Sequence, residues 1–162
     1  MNNDPEVFDR NDLLALVGTW VGSGHGLYPT IERFAYRERS TFVISPKGFL
    51  VYQQTTTDPG GTTPMHAEMG YLRLIDDFGG LEMIVAQPTG IAESHTGRVQ
   101  RVDASVDLVL RSTSIAATPT AKPVTAVIRN LWLDGHVLSY QLHMAAVGQP
   151  MQLHLEAELH RE

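Results

Sequence analysis

There is no cysteine in this chain, which excludes disulfides, thiolate metal ligands and any cofactor attached through thioether bonds. Basic residues are also few: 12 Lys and Arg stand against 18 Asp and Glu, a formal charge of −6. That balance argues against non-specific nucleic-acid binding, for which a basic face is expected. No stretch approaches the ~20 apolar residues of a membrane-spanning helix. The opening MNNDPEVFDRNDLL has no basic region followed by an apolar one, so the expected location is the cytoplasm, away from membranes. No Ser-His-Asp set, paired-carboxylate site, phosphate-binding loop or zinc motif is legible. What remains is a 162-residue chain of ordinary composition, 43% hydrophobic, long enough for one domain (1-162) with a core or an enclosed cavity.

Helical pattern is scarce too. One short helix is predicted at NDLLALVG, with Asn11 or Asp12 as its cap and Gly18 as a left-handed stop. The rest reads as short alternating runs between turn residues. These are Arg33–Ile44, Gly48–Thr57, Met65–Ile75 and Leu81–Ala86, then GIAESH, RVQRVDA and VDLVLRS, then Val124–Leu133, His136–Ala146 and Met151–His160. DPGGTTP reads as a loop, and Asp134-Gly135 as a hairpin turn. About ten strands with short connections suggest an antiparallel up-and-down β-barrel, because closure removes exposed edges. Barrels of this size can enclose one small ligand. Periodicity alone does not separate the barrel from a β-sandwich.

The last run contains the residue that most needs explaining. Alternation places Met151, Leu153, Leu155, Ala157 and Leu159 on one face, and Gln152, His154, Glu156, Glu158 and His160 on the other. With the leucines buried, His154 would be solvated. Its pairing with Leu138, Tyr140, Leu142 and Met144 depends on the VGQP connection, however. An even loop sets Met144 opposite Leu153, whereas an odd loop, or a bulge at Gly148, brings His154 beside Leu142 and Met144. The residues leave both orientations open.

The segment LVGTWVGSGHGLYPTIERFAYRE resembles the N-terminal signature of the nitrobindins, Gly-x-Trp-x-Gly-x-Gly followed by Tyr-Pro-Thr-Ile. Here it comprises Gly18, Trp20, Gly22, Gly24, Tyr28, Pro29, Thr30 and Ile31. PMHAEMGYLR, AQPTGIAESH, TPTAKPVTA and LSYQLHMAAVGQPMQLHL also match, in the same order, from about Leu16 to the C-terminus. The resemblance implies an all-β fold, a ten-stranded antiparallel barrel similar to fatty-acid-binding proteins. It also implies one non-covalent haem b per subunit, nitric oxide binding at ferric haem, and isomerisation of peroxynitrite to nitrate. The family's proximal ligand, the histidine after Gly-Gln-Pro, maps onto His154, and its haem-associated lysine onto Lys122. A homodimer is expected from the family and from the leucine face of the last strand. The departures are Pro123 in place of an acidic residue and His25 inside the glycine signature.

Given that frame, a neutral imidazole at His154 suits iron, with its second ring nitrogen tied to a partner the sequence does not name. Lys122 has the positive head a haem propionate would take. His66 and Met144 are assigned with them to cofactor binding, although the residues alone favour a strand-end position for His66 and packing for Met144; Met65 and Gln87 are pocket candidates or packing residues. Gly18, Trp20, Gly22 and Gly24 are assigned to the catalytic side, because glycines let backbone N–H groups approach a bound anion. The alternative there is a strand that needs small residues to bend, with Trp20 packing at the barrel base. His95, His136 and His143 read as surface or packing residues, and His160 as solvated. Two rivals to the isomerase remain: a haem-based nitric oxide sensor or carrier using His154, and a fatty-acid carrier in which Arg129 and Tyr140 clamp a carboxylate.

Overall fold

The computed structural model describes residues 9–162. A five-residue helix, α1 (Arg10–Leu14), precedes ten strands. These are β1 (Gly18–Tyr28), β2 (Ile31–Ile44), β3 (Leu50–Thr57), β4 (Pro64–Leu74), β5 (Gly80–Gln87), β6 (Ile91–Val102), β7 (Ser105–Ala117), β8 (Val124–Asp134), β9 (Val137–Ala146) and β10 (Gln152–Arg161). Each pairs antiparallel with its sequence neighbours, and β1 pairs with β10, so the sheet closes into a barrel. The sandwich is thereby excluded, and no strand edge stays open along the sheet.

The strand count agrees with expectation, but through two compensating differences. GIAESH and RVQRVDA form one strand, β6, whose alternation continues through Thr96 and Gly97; the nearby bulge belongs to β7, where Thr113 is left unpaired. The glycine-rich signature, not counted among the strands, is β1. Helix α1 is also shorter than predicted. Its cap is Asp9, whose carboxylate accepts the Asn11 backbone N–H at 2.9 Å, and it ends at Ala15 before reaching Gly18. Arg161 closes its end by donating to the carbonyls of the C-cap residue Ala15 and of Val17 just beyond it. The same guanidinium lies 4.3 Å from the Trp20 ring centroid.

These contacts seal one end of the barrel. Leu13, Leu16 and Trp20 are buried there, with the Trp20 indole N–H donating to the Leu16 carbonyl at 2.8 Å. Asp12 pairs with Arg101 of β6, and Arg10 with Asp77 in the β4–β5 turn, fastening the helix across that end. Above this plug lies a core of Phe42, Leu50, Leu72, Leu81, Val85, Val99, Leu108, Leu138 and Leu159. The opposite end carries the turns that follow β1, β3, β5, β7 and β9, and it is the end with the cavity mouth.

The glycines of β1 have a packing reason. In register, Gly24 faces Tyr36 and Gly26 faces Phe34 on β2. A methyl at Gly24 would fall on the Tyr36 ring and the Glu156 carbonyl, and one at Gly26 on the Phe34 ring. The two aromatic side chains therefore lie across bare backbone, a known way of covering glycine in a sheet. At Gly22 the obstacle is backbone: an added Cβ would sit within 3.0 Å of Glu158 O, Glu158 C and Leu159 Cα of β10. The closing seam depends on that approach.

Candidate functional site

His154 does not follow the alternation of its strand. Gln152 pairs with Met144 and Leu153 with His143, but the next partner, Leu142, faces Leu155. His154 is the extra residue of a β-bulge, so both it and Leu155 line the lumen. Gly148, at φ +77°, belongs to the connecting turn instead. The leucine face is thus turned inward at Leu155 and Leu159, which line the cavity, while Met151 is exposed.

The His154 ring is fixed from two sides. Nδ1 lies 3.0 Å from the Leu27 carbonyl of β1; since a carbonyl only accepts, Nδ1 carries the proton and Nε2 keeps its lone pair. Tyr28 packs edge-on against the imidazole, centroids 5.3 Å apart at 72°. Tyr28 is itself held, its hydroxyl accepting the Ala146 N–H at 2.9 Å and lying 3.2 Å from the Met144 and Ala146 carbonyls. Burial lowers the His154 pKa below the usual histidine value, with the Leu27 bond opposing and nearby His66 assisting, which favours the neutral ring.

The cavity before this histidine measures about 260 Å³. Its upper wall is mainly apolar, with Phe34, Leu142, Met144 and Leu155, and it reaches the surface past half-exposed Met65 and His66. Its deeper part is polar. Arg129 donates through Nη1 to Glu68 Oε1 at 2.5 Å, and through Nη2 to Glu68 Oε2 at 3.1 Å and Glu93 Oε2 at 3.0 Å. Tyr52 donates to Glu68 Oε1 at 2.9 Å, and Gln87 to Glu93 Oε1 at 2.7 Å. His95 Nε2 lies 2.7 Å from Glu93 Oε2. Burial would raise both carboxyl pKa values, but Arg129, with His66 at Glu68 and His95 at Glu93, holds them below the ordinary range. A second chain runs from Tyr36 to Tyr140 (2.7 Å) to Glu38 Oε2 (2.6 Å), with Ser40 on Oε1 at 2.7 Å. No cation faces Glu38 among these bonds, and burial raises its pKa.

Among the described residues, no group of three or more His, Asp or Glu side chains is arranged to hold a metal ion. A single imidazole of this kind suits a metal that brings its own equatorial ligands. A sequence model of a family described as "THAP4-like, heme-binding beta-barrel domain" matches residues 9–161. The chain belongs to that family. Its similarity extends to Peroxynitrite isomerase 2 of Mycobacterium avium (strain 104), 47% identical over 154 residues and covering 95% of each chain. Peroxynitrite isomerase of Nocardia farcinica is 45% identical over 161 residues, 98% of this chain and 95% of that one. The crystal structure of Rv2717c from M. tuberculosis superposes with a TM-score of 0.90 at 42% identity, covering 97% of this chain and 99% of that one. The haem-binding barrel and the nitrobindin resemblance are both borne out.

In this haem-binding barrel the assigned residues fall into three groups. His154, His66 and Met144 line one cavity, as do Met65 and Gln87. Lys122 is exposed in the loop between β7 and β8, two residues before the cavity-lining Val124, and so stands at the mouth. None of Gly18, Trp20, Gly22 and Gly24 lines the cavity, and their surroundings are Arg161, the helix plug, β10 and the Tyr36 ring. His25 is exposed. His95 is a packing residue of an unexpected kind, fully buried in a charged network. That network was largely missed. Its signal is a charged residue on an apolar alternation: Glu68 shares a face with Leu72, and Glu93 with Ile91. Leu27, which positions His154 through its backbone, left no side-chain signal at all.

Proposed function

We propose that this protein is a ferric haem b protein that converts peroxynitrite to nitrate and binds nitric oxide at the same iron, one haem per subunit. The observation that carries the reading is His154: a neutral ring, Nδ1–H held by the Leu27 carbonyl, on a bulge that aims it into a surface-reaching apolar cavity. Support comes from the haem-binding family and from relatives at 44–47% identity named peroxynitrite isomerase. Bound haem would supply a ferric centre at which the O–O bond of peroxynitrite is cleaved and its fragments recombine as nitrate.

The chain's own residues do the rest. His154 would hold the iron through Nε2, while Leu27 and Tyr28 keep the ring from turning. Leu131, Leu142, Met144 and Leu155 would line an apolar bed that excludes water from the reacting pair. Lys122 and His66, at the mouth, would meet negatively charged groups of the macrocycle. Stopped-flow mixing of haem-loaded protein with peroxynitrite tests the activity. Accelerated decay with nitrate as product is expected; decay no faster than in buffer would reject it.

We also infer a homodimer, seated on the outer face of β2–β5 rather than on β10. Val43, Val51, Tyr71 and Ile84 stand in register across those four strands, and Val43, Tyr71 and Ile84 are 57%, 52% and 56% exposed. A row of that kind is a candidate interface. Light scattering should give twice the 17.9 kDa chain mass, and Tyr71→Glu should return the protein to a monomer.

A further inference from the structure

The lumen contains an arginine–tyrosine clamp of the sort that captures a carboxylate, and it is already full. Arg129 donates two parallel N–H bonds to Glu68, and Tyr52 donates a third to the same carboxylate. Bidentate pairing of this geometry is among the stronger polar interactions a protein makes. The tyrosine is Tyr52 rather than Tyr140, whose hydroxyl is committed to Glu38. Arg129, Glu68 and Glu93 are 7%, 4% and 3% exposed, so water does not compete for these bonds.

Two features leave the receptor little capacity for an external anion. Both terminal nitrogens of Arg129 are engaged, and the second carboxylate, Glu93, takes the remaining direction at 3.0 Å while being held by Gln87 and His95. Three of the five Arg129 N–H groups are engaged, and the two left, on Nε and Nη1, cannot offset two neighbouring carboxylates and a third, Glu38, on the same wall. An entering carboxylate would have to expel Glu68 from an equivalent seat, or sit unpaired among like charges, which is expensive in a low-dielectric interior.

We propose that Glu68, backed by Glu93, is a built-in surrogate for a ligand carboxylate, and that this pair is what bars fatty acids and other anionic amphiphiles from the barrel. The fold keeps the cavity and the clamp of a lipid carrier but fills the clamp from β4. The specificity of the lumen is thus set by two side chains beneath the mouth, of which Glu68 lies 3.6 Å from His66.

The test uses haem-free protein and two ligands that differ only in head group, decanoate and decanol, with binding read by calorimetry and by the rise in Tm. Wild-type protein should bind decanoate no better than decanol. Glu68→Ala vacates the seat and frees the Arg129 and Tyr52 donors. It should bind decanoate at least about tenfold more tightly than wild type, about 1.4 kcal/mol, with no matching gain for decanol. Adding Arg129→Met should abolish the gain. If Glu68→Ala does not fold, Glu68→Gln keeps the volume, removes the charge and should still shift the preference toward decanoate. Wild-type protein that binds decanoate as tightly as the variants overturns the proposal. So does a folded variant that gains decanol and decanoate equally, since the gain is then one of space. Because no haem is present, failure here says nothing against the isomerase reading, and failure of the isomerase leaves this result intact.

Discussion

If the glycine signature is there for packing rather than for ligand approach, Gly22→Ala should damage stability and leave haem affinity alone. A Cβ at Gly22 would lie 2.8 Å from Leu159 Cα and within 3.0 Å of the Glu158 carbonyl group, all β10 backbone. No rotamer change relieves that, so β1 and β10 must separate where the barrel closes. Overpacking of this kind costs typically ~1–3 kcal/mol, and the upper end is expected because the obstacle is backbone. For a domain of this size ~3 kcal/mol lowers Tm by about 6–12 °C. Gly48→Ala is the control. Gly48 has φ +84° with nothing within 4 Å of a built Cβ, so its cost is confined to left-handed strain of about 1–2 kcal/mol. Thermal melts by circular dichroism compare the two, and ferric-haem titration follows on the folded variants. A Gly22→Ala protein with unchanged Tm and altered haem or anion binding would refute the packing explanation and restore the ligand-approach one.

Other consequences follow from the buried charges and from Tyr28. Arg129→Met leaves Glu68 and Glu93 buried without their cation, for a loss of roughly 3–5 kcal/mol in urea titrations. The loss should shrink as pH falls, because the orphaned carboxyls then take up protons; a loss that is constant with pH would contradict the pairing. Glu38 titrates the other way. Burial raises its folded pKa above the unfolded ~4.3, so its contribution is complete below that value and is lost as pH rises through the folded one. Glu38→Gln should therefore gain stability relative to wild type as pH rises above the ordinary carboxylate range, read as the urea midpoint at each pH; parallel curves would refute this. Tyr28→Phe strands the Ala146 N–H and should cost about 1–2 kcal/mol, with weaker haem binding if the ring's tether matters to His154.

Fold class was legible because turn residues and period-2 alternation are local properties. Gly135, at φ +57°, sits in the β8–β9 turn that Asp134-Gly135 announced. Where alternation failed, a bulge was responsible. At His154 simple alternation points the ring outward, the residues alone left both orientations open, and the bulge turns it into the lumen. A bulge is a mismatch between two strands and cannot be seen in one of them. The family resemblance pointed to His154; the bulge explains how an apparently outward residue comes to face the cavity. The charged floor was obscured for another reason. Glu38, Glu68 and Arg129 sit on different strands, and only closure of the barrel brings their charges together, so each alone resembles a surface residue.

The central claim is that His154 Nε2 is the one protein ligand to the haem iron. The direct measurement is titration of the haem-free protein with ferric haem, followed in the Soret band, for wild type, His154→Gly, and His154→Gly with added imidazole. The account predicts a sharp one-to-one transition in wild type, its loss in the variant, and its return when free imidazole occupies the vacated space beneath the Leu27 carbonyl. A His154→Gly spectrum indistinguishable from wild type would contradict it.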